Sequence, residues 1–230
     1  MKDKMTNRPC HAFTLVEMLV VISVIGVLAA LLFPAGAAIR KNGILRRAKA
    51  ELSQLETGIE NYKLKLGFYP PDNPGRPVSN QLYFELLGTV ENTTNRTFET
   101  LDGSGQITFT PVNEVLSIFG RDAFSNLGAK KGAEEGVVAE NFLKGTIKPG
   151  QVGELPSISS RVKVFVGSVP WPDPPSWQPT SKDGLNPWCY VSSNPTNNTK
   201  SYDLWVNLVI SGKTYRISNW RKDPEVVILP

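Results

Sequence analysis

Residues 11–40 read HAFTLVEMLVVISVIGVLAALLFPAGAAIR, and their interpretation decides the fold of the chain. From Met18 to Ile39 there are 22 consecutive uncharged residues. At about 1.5 Å rise per residue they match the roughly 30 Å hydrocarbon core of a bilayer. A cleaved secretory signal has a shorter apolar region, about 7 to 15 residues, before a small-residue cut site. Ala35, Gly36, Ala37 and Ala38 supply such a site, but the length of the run argues for a membrane helix. Lys2, Lys4 and Arg8 precede the run and favour a cytoplasmic amino terminus, while Arg40 and Lys41 at the far end oppose it. One acid, Glu17, sits at the mouth of the run. A lone carboxylate in hydrocarbon is costly, so Glu17 is either solvated at headgroup level or paired with a positive group.

Beyond Arg40 the apolar positions are Ile44 or Leu45, Ala48, Leu52, Leu55, Ile59, Tyr62 and Leu66. Steps of three and four place them on one helical face. Gly67 follows, with Lys63 and Lys65 in the preceding turn and Pro70 just beyond, a pattern that ends a helix. The reading is one helix from about Phe13 to Leu66, roughly 80 Å at the standard rise, its second half docked on a globular domain. Gly43 and Gly58 weaken a coiled-coil alternative, and a sheet covering the stripe is expected instead.

The chain of 230 residues has 40% hydrophobic and 20% charged content, a formal net charge of +4 and a sequence pI near 9.0. These values describe a folded protein of one or two domains. Arg40, Lys41, Arg46, Arg47, Lys49 and Lys63 cluster after the apolar run. A helix segment near anionic headgroups accounts for them more simply than nucleic acid does, and no nucleic-acid partner is expected. The two cysteines, Cys10 and Cys189, give no disulfide framework once a leader containing Cys10 is removed, and Cys189 in NPWCYVSS reads as a small buried apolar residue. His11 is the only histidine. A mature chain without it has no Ser-His-Asp or Cys-His machinery and no imidazole zinc site.

AFTLVEMLVVISVIGVLAALLFP, with its basic leader, resembles the processing and methylation motif of type IV pilins and type II secretion pseudopilins, over roughly residues 8–66. The resemblance implies a basic leader over 1–12 and a cut by prepilin peptidase between Ala12 and Phe13. It also implies N-methylation of Phe13. Most members have Gly where this chain has Ala12; the requirement is a small side chain in a tight protease subsite. Residues 13–39 are then the transmembrane and assembly helix, and 40–66 its amphipathic continuation. Glu17 becomes the fifth residue and pairs with the positive amino terminus of a neighbouring subunit within the apolar filament core. Pro34 is a second family mark, around which the helix loosens on assembly. Gly26 and Gly36 ease close packing there.

Residues 67–230 read as a globular periplasmic domain. FYPPDNPGRPVSN is a turn-rich loop and QLYFELLG a short helix. Residues 89–160 are a family-atypical insertion, with a hairpin near Asp102–Thr110 and a helical turn in NEVLSIFG. RVKVFVG, PWCYVSS, YDLWVNLVI and KTYRISNW are strands of one antiparallel sheet, with Ser211-Gly212 as a hairpin turn. DGLNPWCY and SYDLW resemble segments of major pseudopilins at Asn186, Pro187, Tyr190, Tyr202, Asp203 and Leu204. That subfamily binds calcium near the C-terminus. Asp203 is the only carboxylate at the start of this hairpin, and none lies between Trp205 and Trp220. Calcium takes six to eight oxygen ligands, so no calcium, metal or cofactor is expected.

Trp171 and Trp177 in SVPWPDPPSWQPT form either a sugar- or partner-gripping loop or a stiff loop whose indoles pack back. Asn92, Asn95 and Asn197 fit a glycosylation pattern but read as polar loops. Glu134, Glu135 and Asp173 have no spacing suited to acid–base work. The expectation is an α+β, pilin-like structural subunit, not an enzyme. It is single-pass in the bacterial inner membrane and meets like subunits, prepilin peptidase and an assembly platform. The competing readings are a signal-anchored envelope protein with a carbohydrate- or partner-binding domain, and a secreted protein whose mature start lies near Gly36–Ile39.

Overall fold

The computed structural model describes residues 14–128, 138–143, 145, 147–158, 161–172 and 178–229, with the side chains of 31–35 outside that set. The chain divides into two compact units between Gly43 and Ile44. Helix α1, Leu15–Leu66, contributes to both, and Gly67 ends it. Gly67 adopts φ 86° and its N–H donates to the Lys63 carbonyl at 2.8 Å, the left-handed cap that a glycine makes without strain.

In the second unit the expected stripe faces the core. Leu45, Ala48, Leu52, Leu55, Ile59 and Tyr62 are buried, and Ile44 and Leu66 pack at the edges. The helix α2, Leu82–Leu87, is buried on every side. Strands β1 (Thr89–Asn92), β2 (Thr97–Thr100) and β3 (Gln106–Thr108) form a meander, followed by α3 (Glu114–Phe119) and β4 (Leu127–Gly128). Their sheet runs β3-β2-β1-β4 and contains one parallel pair, β1 with β4. Phe84 stacks on Phe124 at 4.9 Å between centroids, and Phe98 and Phe119 meet Phe124 edge-on, so this region has an aromatic centre continuous with the main core.

Strands β5 (Val152–Glu154) and β6 (Lys163–Phe165) make a separate two-stranded sheet. This corrects the expectation that RVKVFVG joins the C-terminal sheet: β6 is antiparallel to β5 and reaches the following segment only through a single bridge, Val166 to Pro187. The C-terminal sheet is the antiparallel meander β10-β9-β8-β7, built from β7 (Cys189–Val191), β8 (Asp203–Ile210), β9 (Lys213–Ser218) and β10 (Arg221–Val227). Leu204, Val206 and Leu208 of β8 alternate inward and share one core with the α1 stripe. Ser211 (φ 52°) and Gly212 (φ 74°) are both left-handed, as a two-residue turn matched to strand twist requires. β10 was not expected. Pro224 and the run RKDPE conceal it, and the register shifts between Arg221 and Glu225. An outermost strand tolerates such a proline, because the missing N–H faces no partner.

Candidate functional site

The first unit starts with a polar knot. The Thr14 N–H and hydroxyl both donate to one Glu17 carboxylate oxygen, each at 2.8 Å, and the Glu17 N–H donates back to Thr14 Oγ1 at 3.2 Å. This is a reciprocal capping box: two donors of the helix start, which have no intrahelical acceptor, are satisfied by side chains three residues apart. The sequence reading singled out Glu17 but not Thr14. Thr-x-x-Glu ahead of an apolar run is the signal that would have found it.

Beyond the cap the side chains of α1 over residues 18–30 are apolar apart from Ser23, and all but Ala29 are exposed. Leu15 is 79% exposed, Ile22 66% and Val27 62%. The run is rich in β-branched valine and isoleucine, which are weak helix formers in water, so its stability as a helix depends on an apolar surrounding. Ser23, the one hydroxyl among them, donates to the Val20 carbonyl at 2.8 Å and leaves no polar group seeking a partner. Adding a Cβ at Gly26, Gly36 or Gly43 would meet nothing within 4 Å, so room for a close neighbour is present at all three. Ala12 and Phe13 lie outside the described residues. Pro34 falls within α1, but its side chain lies outside them. Among the described residues no helix is long and apolar enough to cross a membrane. The expected span over 13–39 includes Phe13 and residues 31–35, which that statement does not cover.

In the second unit the buried polar groups hold segments together. Glu85, fully buried in α2, accepts from the Tyr62 hydroxyl at 2.8 Å, the Ser125 N–H at 2.8 Å and the Asn126 N–H at 2.9 Å. Asn126 returns a bond to the Glu85 carbonyl at 2.7 Å and another to the Glu140 carbonyl at 2.7 Å. One side chain thereby ties α1, α2 and the segment leading into β4. Burial raises the Glu85 carboxyl above its ordinary range, against the pull of these three donors and of Arg121. Asp72 accepts from the Ser192 and Ser193 N–H groups and the Ser193 hydroxyl, anchoring the loop before α2 to the end of β7. None of these roles was read from the sequence. An isolated acid in QLYFELLG carries no pattern that announces burial.

Asp203 is buried at the start of β8. Its oxygens accept from the backbone N–H groups of Thr196, Asn197 and Asn198 at 2.8–3.0 Å and from the Asn197 amide at 2.9 Å. Burial pushes this carboxyl up, but the donors outweigh it and hold it below the usual carboxylate range. The carboxylate fastens the 196–198 loop with N–H donors. Among the described residues no group of three or more His, Cys, Asp or Glu side chains is placed to hold a metal ion.

Trp171 is buried, and its N–H of the main chain donates to the Gly184 carbonyl at 3.1 Å, so this indole packs back onto the domain. Trp177, Asp173, Glu134 and Glu135 lie outside the described residues. Asn92 donates to Glu99 at 3.0 Å and accepts from the Asn95 N–H at 3.1 Å, as a polar turn does. Cys189 is buried, and burial pushes its thiol up to about 12.

No curated protein and no solved structure matches the chain. The family model for the prokaryotic N-terminal methylation motif matches residues 7–33, a stretch that takes in Thr14, Glu17 and the exposed apolar turns of α1. The chain therefore carries at its amino terminus the hallmark of type IV pilins and pseudopilins.

Proposed function

We propose that the chain is a structural filament subunit, cut by prepilin peptidase between Ala12 and Phe13 and N-methylated on Phe13. The observation that carries this reading is the matched motif followed by an α1 segment whose apolar side chains are exposed all round. Such a surface is stable only in lipid or against like helices. Residues 13–39 anchor the precursor in the inner membrane in a single pass, with the second unit in the periplasm. After the cut, Phe13 bears an amine that stays protonated at neutral pH whether or not it is methylated. In the assembled filament the Glu17 carboxylate of one copy faces that amine on the next. Burial of either charge alone is prohibitive, so the pair fixes the stagger between helices. The helix around Pro34 gives way as copies pack. The resemblance of NPWCY and YDLW to pseudopilin segments favours a type II secretion pseudopilus over a type IV pilus. The role is structural rather than enzymatic.

Mass spectrometry of the protein from membranes of its native host tests the cut. The expected mature chain begins at methylated Phe13, and retention of Met1 in every molecule contradicts the reading. Glu17→Ala is expected to remain in the membrane while sedimentable filament falls at least about tenfold, since the new amine is left buried and unpaired. Filament at the wild-type level would remove the pairing role.

A further inference from the structure

Buried polar atoms without a partner are rare in folded proteins, and each one calls for an account. Among the described residues three such side-chain atoms stand out: Glu51 Oε2, Gln81 Oε1 and Ser168 Oγ. Two of the three belong to one place in the second unit. Glu51, 5% exposed on α1, lies beside the segment after β6, where the Ser168 N–H helps to hold its carboxyl in the charged form. Its Oε1 accepts from Arg47 Nε at 3.1 Å, while Oε2 makes no hydrogen bond. A carboxylate oxygen left in that state is costly, because it has given up its water for nothing.

Glu51 also walls a small cavity beneath the helix. Leu55, Phe165 and Trp188 give it apolar sides, and Gln54 and Gln151 join Glu51 as its polar lining. Gln151 is held in one orientation: its Oε1 accepts the Lys148 N–H at 2.8 Å, and its Nε2 donates to Gln54 Oε1 at 3.0 Å. The second amide hydrogen of Gln151 and the amide group of Gln54 are then the donors that this lining offers. The cavity has a free volume of about 10 Å³. That is about one sphere of 1.4 Å radius, the least that admits a water, and a buried water needs two to four polar partners.

The chemistry of the lining narrows the occupant. Arg47 and Lys148 already act on the Glu51 charge, so no further cation is called for. A metal or ammonium ion would face amide N–H groups, and an anion would face the carboxylate. Water donates to a carboxylate and accepts from an amide, and so meets both kinds of group.

We propose that this cavity is a binding site for one structural water, which donates to Glu51 Oε2 and accepts from the Gln151 amide. The bridge joins α1 to the turn at Pro149–Gln151, beside the direct bond between Gln54 and Gln151. It gives the buried carboxylate oxygen the donor that the protein itself withholds. The site belongs to the second unit alone and does not depend on the filament reading.

Water-to-amide Overhauser spectra of the full chain, labelled with nitrogen-15 and deuterium and held in detergent micelles, test the site. Recording them in both the laboratory and the rotating frame separates true contacts from proton exchange. Cross-peaks are expected from water to the side-chain amides of Gln151 and Gln54, with the sign of a molecule carried along by the protein rather than that of passing surface water. Glu51→Leu removes the acceptor while keeping similar bulk, and Arg47, whose side chain is 53% exposed, is free to rehydrate. In that variant the cross-peaks are expected to vanish while the backbone amide spectrum stays dispersed. Wild-type chain without such cross-peaks, or cross-peaks that persist at full intensity in folded Glu51→Leu, overturns the site. Should the leucine variant fail to fold, the wild-type spectrum decides by itself.

Discussion

The two halves of α1 share a backbone and differ in almost everything else. In the first unit, apolar side chains point in all directions and are open, as with Leu15 at 79%. In the second, the apolar side chains other than Leu64 keep to one face, and Leu55 is 4% exposed. A helix that buries one stripe is finished within its own chain. A helix apolar all round is finished only by a surrounding that the chain does not supply. Folding, and the assembly proposed above, are thus written on consecutive turns of one element, and substitutions ought to separate them.

The largest expected effect is on the folded side of that division. Glu85→Ala leaves the Ser125 and Asn126 N–H groups and the Tyr62 hydroxyl without an acceptor in a sealed site, and is expected to cost about 3–5 kcal/mol. Urea denaturation of the full chain in detergent micelles measures it; a loss below about 1 kcal/mol would show that the hub is not structural. Next, Leu55→Ala is expected to lower stability by about 3 kcal/mol, while Leu19→Ala, on the open half, leaves the unfolding midpoint within about 0.5 kcal/mol of wild type. Equal costs would erase the contrast between the halves. Gly88→Ala follows at about 2 kcal/mol. Gly88 ends α2 at φ 74° and ψ 149°, a region open almost only to glycine, and a Cβ there would stand 2.9 Å from the Glu140 carbonyl oxygen. A neutral Gly88→Ala in the same assay would mean that the segment at Glu140 yields freely.

The smallest effect is in pH, where two buried carboxylates act with opposite sign. Asp203 is held below its usual range, so its contribution is present above about pH 3.9 and lost as pH falls through the still lower folded value. Glu85 is held above its usual range, so its contribution is complete below about pH 4.3 and lost as pH rises through the folded value. Denaturation of wild type and Asp203→Asn across pH 3–7 checks the first. The difference between them should shrink on the acid side, and a difference that grows there would reverse the assignment.

What could be read from residues alone follows from how local the cause is. The α1 stripe, the Gly67 stop and the Ser211-Gly212 turn are set by spacing and backbone freedom within a few residues, and all three are found in the structure. The Thr14–Glu17 cap is equally local, but its carboxylate was read for a distant partner and the adjacent one was passed over. The parallel β1–β4 contact depends on residues far apart in the chain, and nothing in RVKVFVG says that it will pair with the strand just before it rather than with the C-terminal sheet. β10 was hidden by Pro224 and four charged neighbours, because a strand at a sheet edge needs no apolar alternation to hold its place. The Glu85 hub is the extreme case, since its partners come from Tyr62 on one side and Ser125 and Asn126 on the other.

The knot at the head of α1 has one more implication. Its donors are the amide and hydroxyl of Thr14, both downstream of the Ala12–Phe13 bond. Under the processing proposed above, loss of the leader leaves the first turn tied off, because both donors remain. Under the proposed pairing, the carboxylate that fastens this end is also the one that meets the neighbour's amine, so each joining event exchanges an internal tether for an external one.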